Sequence, residues 1–137
     1  MIRVLQKNIP EMEKAKAVWF EGAGGKSFCA GGDVKALFDK DAKVSDRLDF
    51  FREEFTTDYK IATMKSLQIA NWDGIVMGGG FGVTSMAPFR IATENSMFAM
   101  PEAKLGFFTD VCACYTLARL RNNIGFYLGM TGARLKG

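Results

Sequence analysis

A chain of 137 residues, of which 48% are hydrophobic and 24% charged, is typical of one soluble globular domain. Its net charge of +3 favours an anionic ligand slightly and is far from the basic excess of nucleic-acid-binding domains. No apolar run approaches the roughly 18 residues that a membrane-spanning helix requires. We therefore expect a single domain over 1–137 that binds neither nucleic acid nor a membrane.

The alternation of apolar and polar residues predicts strands alternating with helices, which is an α/β fold. Pro10 is expected to interrupt the first helix, and Asp33 and Asp110 are expected to be the N-caps of later helices. In chain order, the predicted elements are a helix at 2–16, a strand at 17–20, helices at 34–38 and 44–64, strands at 66–71, 89–92 and 97–100, and helices at 110–120 and 124–130.

Histidine is absent, which excludes Ser-His-Asp and Cys-His catalysis and removes the commonest zinc ligand. Acid–base chemistry near neutral pH must therefore use Asp, Glu, Lys, Tyr or Cys. The cysteines Cys29, Cys112 and Cys114 are odd in number, which predicts reduced thiols and an intracellular location. Cys112 and Cys114 form C-x-C rather than C-x-x-C, so small structural thiols are favoured over a redox or metal site.

Two glycine-rich segments, 22–33 and 74–82, each leave a predicted strand and enter a helix. The G-K-S triplet at 25–27 would end a P-loop only with glycine at position 20, where the chain has Phe20. Val83 breaks the G-x-G-x-x-G pattern of a dinucleotide-binding turn. Two such turns facing one pocket would form an oxyanion hole from their backbone amides. Two tight turns without a ligand remain the alternative.

Carboxylates with a potential role lie near the ends of the predicted elements. Glu102 follows Pro101 at the end of a strand, and Asp110 comes at a helix start where an N-cap would explain it. In the long helix, Phe51 and Phe55 are interpreted as core, and Glu53 and Glu54 as a solvated face. None of these patterns alone indicates an enzyme.

In their order along the chain, these motifs resemble the enoyl-CoA hydratase/isomerase, or crotonase, superfamily. The resemblance is carried by 22–33 (GAGGKSFCAGGD), 74–80 (GIVMGGG) and 98–102 (FAMPE), which are similar to the family's F-[CS]-A-G-x-D turn, GGG turn and following strand end. It covers nearly the whole chain from residue 17 onward. It implies a crotonase-like ββα superhelix.

Further motifs resemble the 3-hydroxyisobutyryl-CoA hydrolase branch of that superfamily. The segments 50–55 (FFREEF) and 128–137 (LGMTGARLKG) are similar to segments of this branch. Asp110 and Val111 match its Asp-Val pair, where hydratases usually have glycine. Gly82 stands where hydratases carry one of their two catalytic glutamates. The resemblance therefore implies hydrolysis of an acyl-CoA thioester, with a hydratase or isomerase of the same superfamily as the alternative.

The resemblance also implies a role for individual residues. The amides of Gly32 and Gly79 would form the oxyanion hole around the thioester oxygen. Glu102 would attack the thioester or activate water, and Asp110 would orient the substrate hydroxyl or the water. Glu54 would contact the acyl part of the substrate. Coenzyme A would be part of the substrate, with no separate cofactor and no metal, and the full-length family suggests a homo-oligomer.

The chain departs from the family pattern in sequence and in length. The family's glycine run after Asp-Val is Cys112-Ala113-Cys114 here, Thr109 replaces a proline, and 66–67 replaces Lys-Pro. The family begins with a strand pair before the first helix and continues with helices beyond residue 137, so we expect an incomplete superhelix. An inactive or partner-binding remnant is therefore an alternative from another class. Residues 1–7 predict no targeting segment, and a mitochondrial location is implied by resemblance only.

Overall fold

The computed structural model describes residues 1–137 apart from the side chain of Ala36. Short 3-10 turns lie at Glu102–Leu105 and Arg121–Asn123. The helices are α1 (Ile2–Lys14), α2 (Val34–Leu37), α3 (Val44–Thr63), α4 (Gly79–Thr84), α5 (Ala113–Leu117) and α6 (Ile124–Thr131). The strands are β1 (Ala17–Glu21), β2 (Ser27–Cys29), β3 (Leu67–Trp72), β4 (Ile75–Met77), β5 (Phe89–Ala92), β6 (Met97–Ala99) and β7 (Leu135–Lys136).

From β1 to β6, strands that follow one another in sequence lie in different sheets. One sheet has the order β1-β3-β5 and is parallel throughout. The other has the order β2-β4-β6-β7, with β2, β4 and β6 parallel and β7 antiparallel to β6. The pairs β1–β2 and β3–β4 are each followed by helix, so the chain winds as a ββα spiral. The predicted α/β class and ββα superhelix are therefore confirmed.

The apolar core has two clusters. Ile61 and Ala70 centre the cluster that joins α1, α3 and the first sheet, and neither side chain is exposed to solvent. Val76 and Met100, which are also fully buried, centre the cluster beneath the second sheet, α5 and α6. None of the helices in the described part of the chain is both long and apolar enough to cross a membrane.

The glycine-rich segments contain short strands that the sequence pattern does not reveal. β2 and β4 lie inside the segments predicted as loops. A Cβ on Gly74 would lie 2.5 Å from the Lys26 carbonyl oxygen. Glycine is therefore needed where the two segments approach each other. These strands are too short for a period-two pattern to form.

The first helix continues through Pro10 and ends at Lys14, so the prediction that Pro10 interrupts it is wrong. Proline removes a backbone donor from a helix interior, but the helix is held by its packing. Ile9 is buried in the core, and the half-buried Leu5 and Met12 pack against the same cluster. Tertiary burial of one helix face here outweighs the lost hydrogen bond.

The close packing of α6 against α5 generates a stability prediction. A Cβ on Gly125 would overlap the backbone carbonyl of Leu117, whereas a Cβ on Gly129 would lie at an ordinary contact distance of 3.4 Å from Leu117 Cδ1. Gly125→Ala is therefore expected to destabilise the chain by about 1–3 kcal/mol. Gly129→Ala, the matched control, is expected to be neutral or to stabilise by up to about 1 kcal/mol. Urea unfolding of both variants measures this, and equal stabilities would contradict the packing.

Candidate active site

The two glycine turns lie side by side because β2 and β4 are neighbouring parallel strands. The carboxyl ends of parallel strands meet at one edge of the sheet, so the turns that follow them converge. A Cβ on Gly31 would lie 3.8 Å from the Gly79 nitrogen, and a Cβ on Gly79 would lie 3.8 Å from the Gly32 nitrogen. Gly31 and Gly78 have φ values of 105° and 50°, a backbone region that glycine enters without strain.

The carboxylates of Glu54 and Glu102 lie directly against these turns. A Cβ on Gly79 would lie 2.5 Å from Glu54 Oε1, and a Cβ on Gly78 would lie 3.2 Å from Glu102 Oε1. Glu54 comes from the middle of α3, and Glu102 begins the 3-10 turn after β6. Both side chains are less than a tenth exposed. Glu102 Oε2 has no hydrogen-bond partner among the described residues.

Asp110 reaches the same place from a tightly bent segment. Its carbonyl accepts a hydrogen bond from the Ala113 amide at 2.8 Å, and α5 begins only at Ala113, with Cys112 at the N-cap position. The predicted N-cap role of Asp110 is therefore wrong, because the helix starts later than the sequence pattern indicates. The Asp110 side chain is left available to the pocket.

Val111 and Cys112 both have positive φ values, 45° and 63°. This region is uncommon for residues with a Cβ and is unfavourable for a β-branched one. Val111 is 3% exposed within the second core cluster, so packing holds it in this conformation. Consecutive strained residues beside a pocket carboxylate are a feature of functional sites.

One cleft with a volume of about 210 Å³ is lined by the five residues to which the resemblance assigns a role in the reaction. Apolar side chains form its walls, and Phe51 stacks on Phe107 with ring centroids 5.8 Å apart. Such a cleft, mostly apolar with a few convergent polar groups, is the usual form of a small-molecule site. The predicted site residues on its lining are Gly32, Gly79, Glu54, Glu102 and Asp110.

Glu54 is buried, although its sequence pattern suggests a solvated position. It is 7% exposed, so the interpretation as part of a solvated face is wrong. Phe55, interpreted as core, is 43% exposed. The face of α3 that is buried carries Glu54, Thr57, Asp58 and Ile61. Because this polar face packs on the glycine backbone of α4 rather than on apolar side chains, the apolar spacing of α3 does not identify its buried side.

Burial raises the pKa of every carboxyl group in this cluster. Burial, with the charges of Asp110 and Glu102, raises the pKa of Glu54 to about 7. Burial also raises the pKa of Glu102 and that of Asp110, and the backbone amide of each residue opposes the rise. Asp58, one helical turn after Glu54, has its pKa raised to about 7 by burial and by the charges of Glu54 and Asp110. Glu54 and Asp58 can therefore hold a proton near neutral pH.

Asp58 is the member of this cluster that the sequence analysis missed. It stands at i+4 from Glu54, a spacing that places both carboxyls on one helix face, and that signal was present in the sequence. The described residues contain no group of three or more His, Cys, Asp and Glu side chains arranged to hold a metal ion.

Comparisons with known proteins place this chain in a family. The sequence model of the enoyl-CoA hydratase/isomerase family matches residues 1–137. The chain is 43% identical over 149 residues to the mitochondrial 3-hydroxyisobutyryl-CoA hydrolase of Dictyostelium discoideum, covering 100% of this chain. It is 45% identical over 144 residues to the small ribosomal subunit protein mS47 of Neurospora crassa, again covering 100% of this chain. The chain belongs to the enoyl-CoA hydratase/isomerase family.

The structure agrees with this assignment. It superimposes on a carnitinyl-CoA dehydratase from Mycobacterium thermoresistibile with a TM-score of 0.91 and 31% identity, over 99% of this chain and 41% of that chain. The chain spans 39% of the length of the Dictyostelium relative and 28% of the Neurospora one. The predicted resemblance to the crotonase superfamily and to its 3-hydroxyisobutyryl-CoA hydrolases is confirmed.

The strained turn beside Asp110 generates a prediction about stability. Cys112→Gly is expected to stabilise the chain by up to about 1 kcal/mol, because glycine adopts a positive φ without the clash that a Cβ creates. Cys114→Gly is the matched control, since Cys114 lies within α5 and glycine in a helix interior destabilises by about 1 kcal/mol. Denaturant unfolding under reducing conditions gives both values. A Cys112→Gly variant as unstable as Cys114→Gly would contradict the backbone geometry.

The raised pKa values generate a prediction about pH. Glu54 and Asp58 hold protons up to about pH 7 in the folded chain, whereas in the unfolded chain they release them near pH 4. The folded state therefore binds more protons between these values, so the free energy of unfolding is expected to fall as pH rises from about 5 to about 8. The slope approaches ~1.4 kcal/mol per pH unit for each retained proton. Unfolding in urea across this range tests the sign, and a stability that rises with pH would contradict it.

Proposed function

We propose that this chain hydrolyses an acyl-CoA thioester, with 3-hydroxyisobutyryl-CoA as the substrate and 3-hydroxyisobutyrate and CoA as products. The observation that carries the proposal is the close approach of the Gly32 and Gly79 backbones between two buried carboxylates, Glu54 and Glu102. The name of the Dictyostelium relative supports the choice of substrate. Coenzyme A enters as part of the substrate.

The chemistry follows from what each group can do. The Gly32 and Gly79 amides stabilise the negative charge that develops on the thioester oxygen. Gly79 suits this role because it is the first residue of α4, and the first amides of a helix have no partner within it. Glu102 either attacks the thioester carbon or takes a proton from a water that attacks it. If Glu102 attacks, the carbon–sulfur bond breaks as an acyl anhydride with Glu102 forms, and water then hydrolyses that anhydride and restores the carboxylate. If water attacks, Glu102 takes its proton and the carbon–sulfur bond breaks to give the acid directly. In both routes the CoA thiolate leaves and takes up a proton.

Asp110 and Glu54 complete the proposed site. Asp110 orients the substrate hydroxyl or the attacking water, and Glu54 contacts the acyl group from α3. The raised pKa of Glu54, about 7, fits its role, because a carboxyl that is partly protonated near pH 7 can both accept and donate a hydrogen bond. The apolar wall around Phe51 and Phe107 excludes water from the thioester and strengthens these interactions.

Hydration by two glutamates is disfavoured by the surroundings of Gly82. A Cβ at this position would lie 2.5 Å from Val111 Cβ and 2.9 Å from Asp58 Oδ2. A glutamate side chain at position 82 therefore has no room without movement of the turn that carries Asp110. The remaining alternative within the family is an isomerase that uses Glu102 alone. Such an enzyme would leave the thioester intact.

A second candidate function is binding without turnover. The 45% identity to the small ribosomal subunit protein mS47 of Neurospora crassa favours it, since that relative is named as a component of an assembly. In that case the chain would contact a partner and the pocket carboxylates would be dispensable. A mitochondrial location is proposed for either function, because the Dictyostelium relative is named mitochondrial. Assembly into a homo-oligomer stays a prediction.

Release of free thiol from 3-hydroxyisobutyryl-CoA tests the proposal. The purified 137-residue chain is expected to release CoA, and Glu102→Gln is expected to reduce the rate at saturating substrate by at least about 100-fold, because glutamine can neither attack nor accept a proton. Glu94→Gln, at an exposed glutamate, is the matched control and is expected to retain the wild-type rate. Mass spectrometry of the acyl product distinguishes hydrolysis from isomerisation.

Each result has a distinct meaning. Thiol release that is lost only in Glu102→Gln supports hydrolysis at this pocket. Release that persists in Glu102→Gln would overturn the assigned role of Glu102. A folded wild-type chain that releases no thiol above background would overturn the hydrolase proposal and favour binding without turnover.

A further inference from the structure

Asp58 is the most deeply buried carboxyl group of the site. Its side chain is 2% exposed, and neither of its oxygens has a hydrogen-bond partner among the described residues. It does not line the cleft that holds the proposed catalytic groups and instead lies behind it, where Oδ2 faces the backbone of Gly82. No step of the proposed hydrolysis uses it.

An ionised Asp58 would be poorly compensated in this position. A buried carboxylate without hydrogen-bond donors carries a large desolvation penalty and is usually protonated instead. The groups that act on it electrostatically are also acidic. Glu54 stands one turn before Asp58 on α3. The charge of Asp110, which directly precedes the strained Val111 and Cys112, also acts on Asp58. The pKa of the Cys112 thiol in that turn is raised by burial and by the charge of Asp58.

Among the described residues, the other elements that pack on this part of α3 supply no compensating charge at Asp58. α4 has the sequence GGFGVT and carries no ionisable side chain. α1 also packs on α3, but its Arg3 pairs with Glu53 at 3.0 Å. The surroundings of Asp58 therefore contain two carboxyl groups and a thiol, and a single proton on Asp58 changes the charge that Glu54 and Asp110 experience.

We propose that Asp58 is a positioning residue that titrates together with Glu54 and Asp110, so that the charge on Asp58 determines how readily these two groups ionise. This inference rests on the proposed function for its consequence, which is that the pocket carries fewer like charges next to the developing oxyanion. Loss of the Asp58 proton adds a buried negative charge behind both groups, which makes their own ionisation less favourable. The rate of hydrolysis would then respond to a residue that never touches the substrate.

Carboxyl titration by NMR tests this in the ¹³C-labelled 137-residue chain. In the wild type, an Asp carboxyl assigned to Asp58 is expected to titrate about 3 pH units above an ordinary aspartate. In Asp58→Asn, which has the same shape and cannot ionise, the midpoint of Glu54 is expected to fall by about 0.5–1 pH unit. Glu54→Gln is expected to lower the midpoint of Asp58 reciprocally. Asp46→Asn, at an exposed position of the same helix, is the control and should move neither midpoint.

The outcomes separate this inference from the proposed function. An Asp58 that titrates near pH 4 in the wild type overturns the inference, and so does a Glu54 midpoint that is unchanged in Asp58→Asn. If Asp58→Asn does not fold, the wild-type titration and Glu54→Gln decide the question. In an active chain, the pH midpoint of thiol release is expected to shift to lower pH in Asp58→Asn. A chain that shows the expected titrations but releases no thiol supports the inferred role of Asp58. That result contradicts only the proposed hydrolase function.

Discussion

The pocket depends on the close approach of α3 to α4, which is possible only because α4 is built on glycine. A Cβ on Gly79 would lie 2.5 Å from Glu54 Oε1, and one on Gly82 would lie 2.9 Å from Asp58 Oδ2. The absence of side chains lets a helix place two carboxyls directly on the backbone of its neighbour. The same contact keeps water away from those carboxyls, so the approach that builds the site also raises their pKa values.

This arrangement creates an electrostatic conflict that the raised pKa values relieve. Backbone amides that converge on one point attract negative charge, whereas a cluster of ionised carboxylates would repel it. If burial keeps some of the carboxyls protonated, the amides can stabilise an oxyanion without that repulsion. The mixed protonation near pH 7 that Glu54 and Asp58 share therefore suits a reaction that develops charge on an oxygen. It would serve a purely structural cluster poorly, because the buried groups lower stability as they ionise.

Much of the fold and of the site is visible in the sequence, and the exceptions have physical reasons. The strands at 89–92 and 97–99 coincide with apolar segments of the sequence, and the helix at 44–63 is long enough for its spacing to be recognised. β2 and β4 are hidden since three-residue strands between glycines leave no periodicity. The burial of Glu54 and Asp58 is hidden for a different reason: amphipathic patterns assume an apolar partner, whereas α3 packs its polar face on α4.

The spiral topology has a consequence for how the site is assembled. Gly32 follows β2 and Gly79 follows β4, so the paired amides belong to successive turns of the spiral and meet only when these strands pair. Such pairing is non-local, and contacts of this kind form late because the intervening chain must first be ordered. During folding, or during synthesis from the N-terminus, the first glycine turn is therefore present without a site. The pair of amides is formed in one step, when the second turn docks, and the residues from Glu102 to Val111 complete the cleft afterwards.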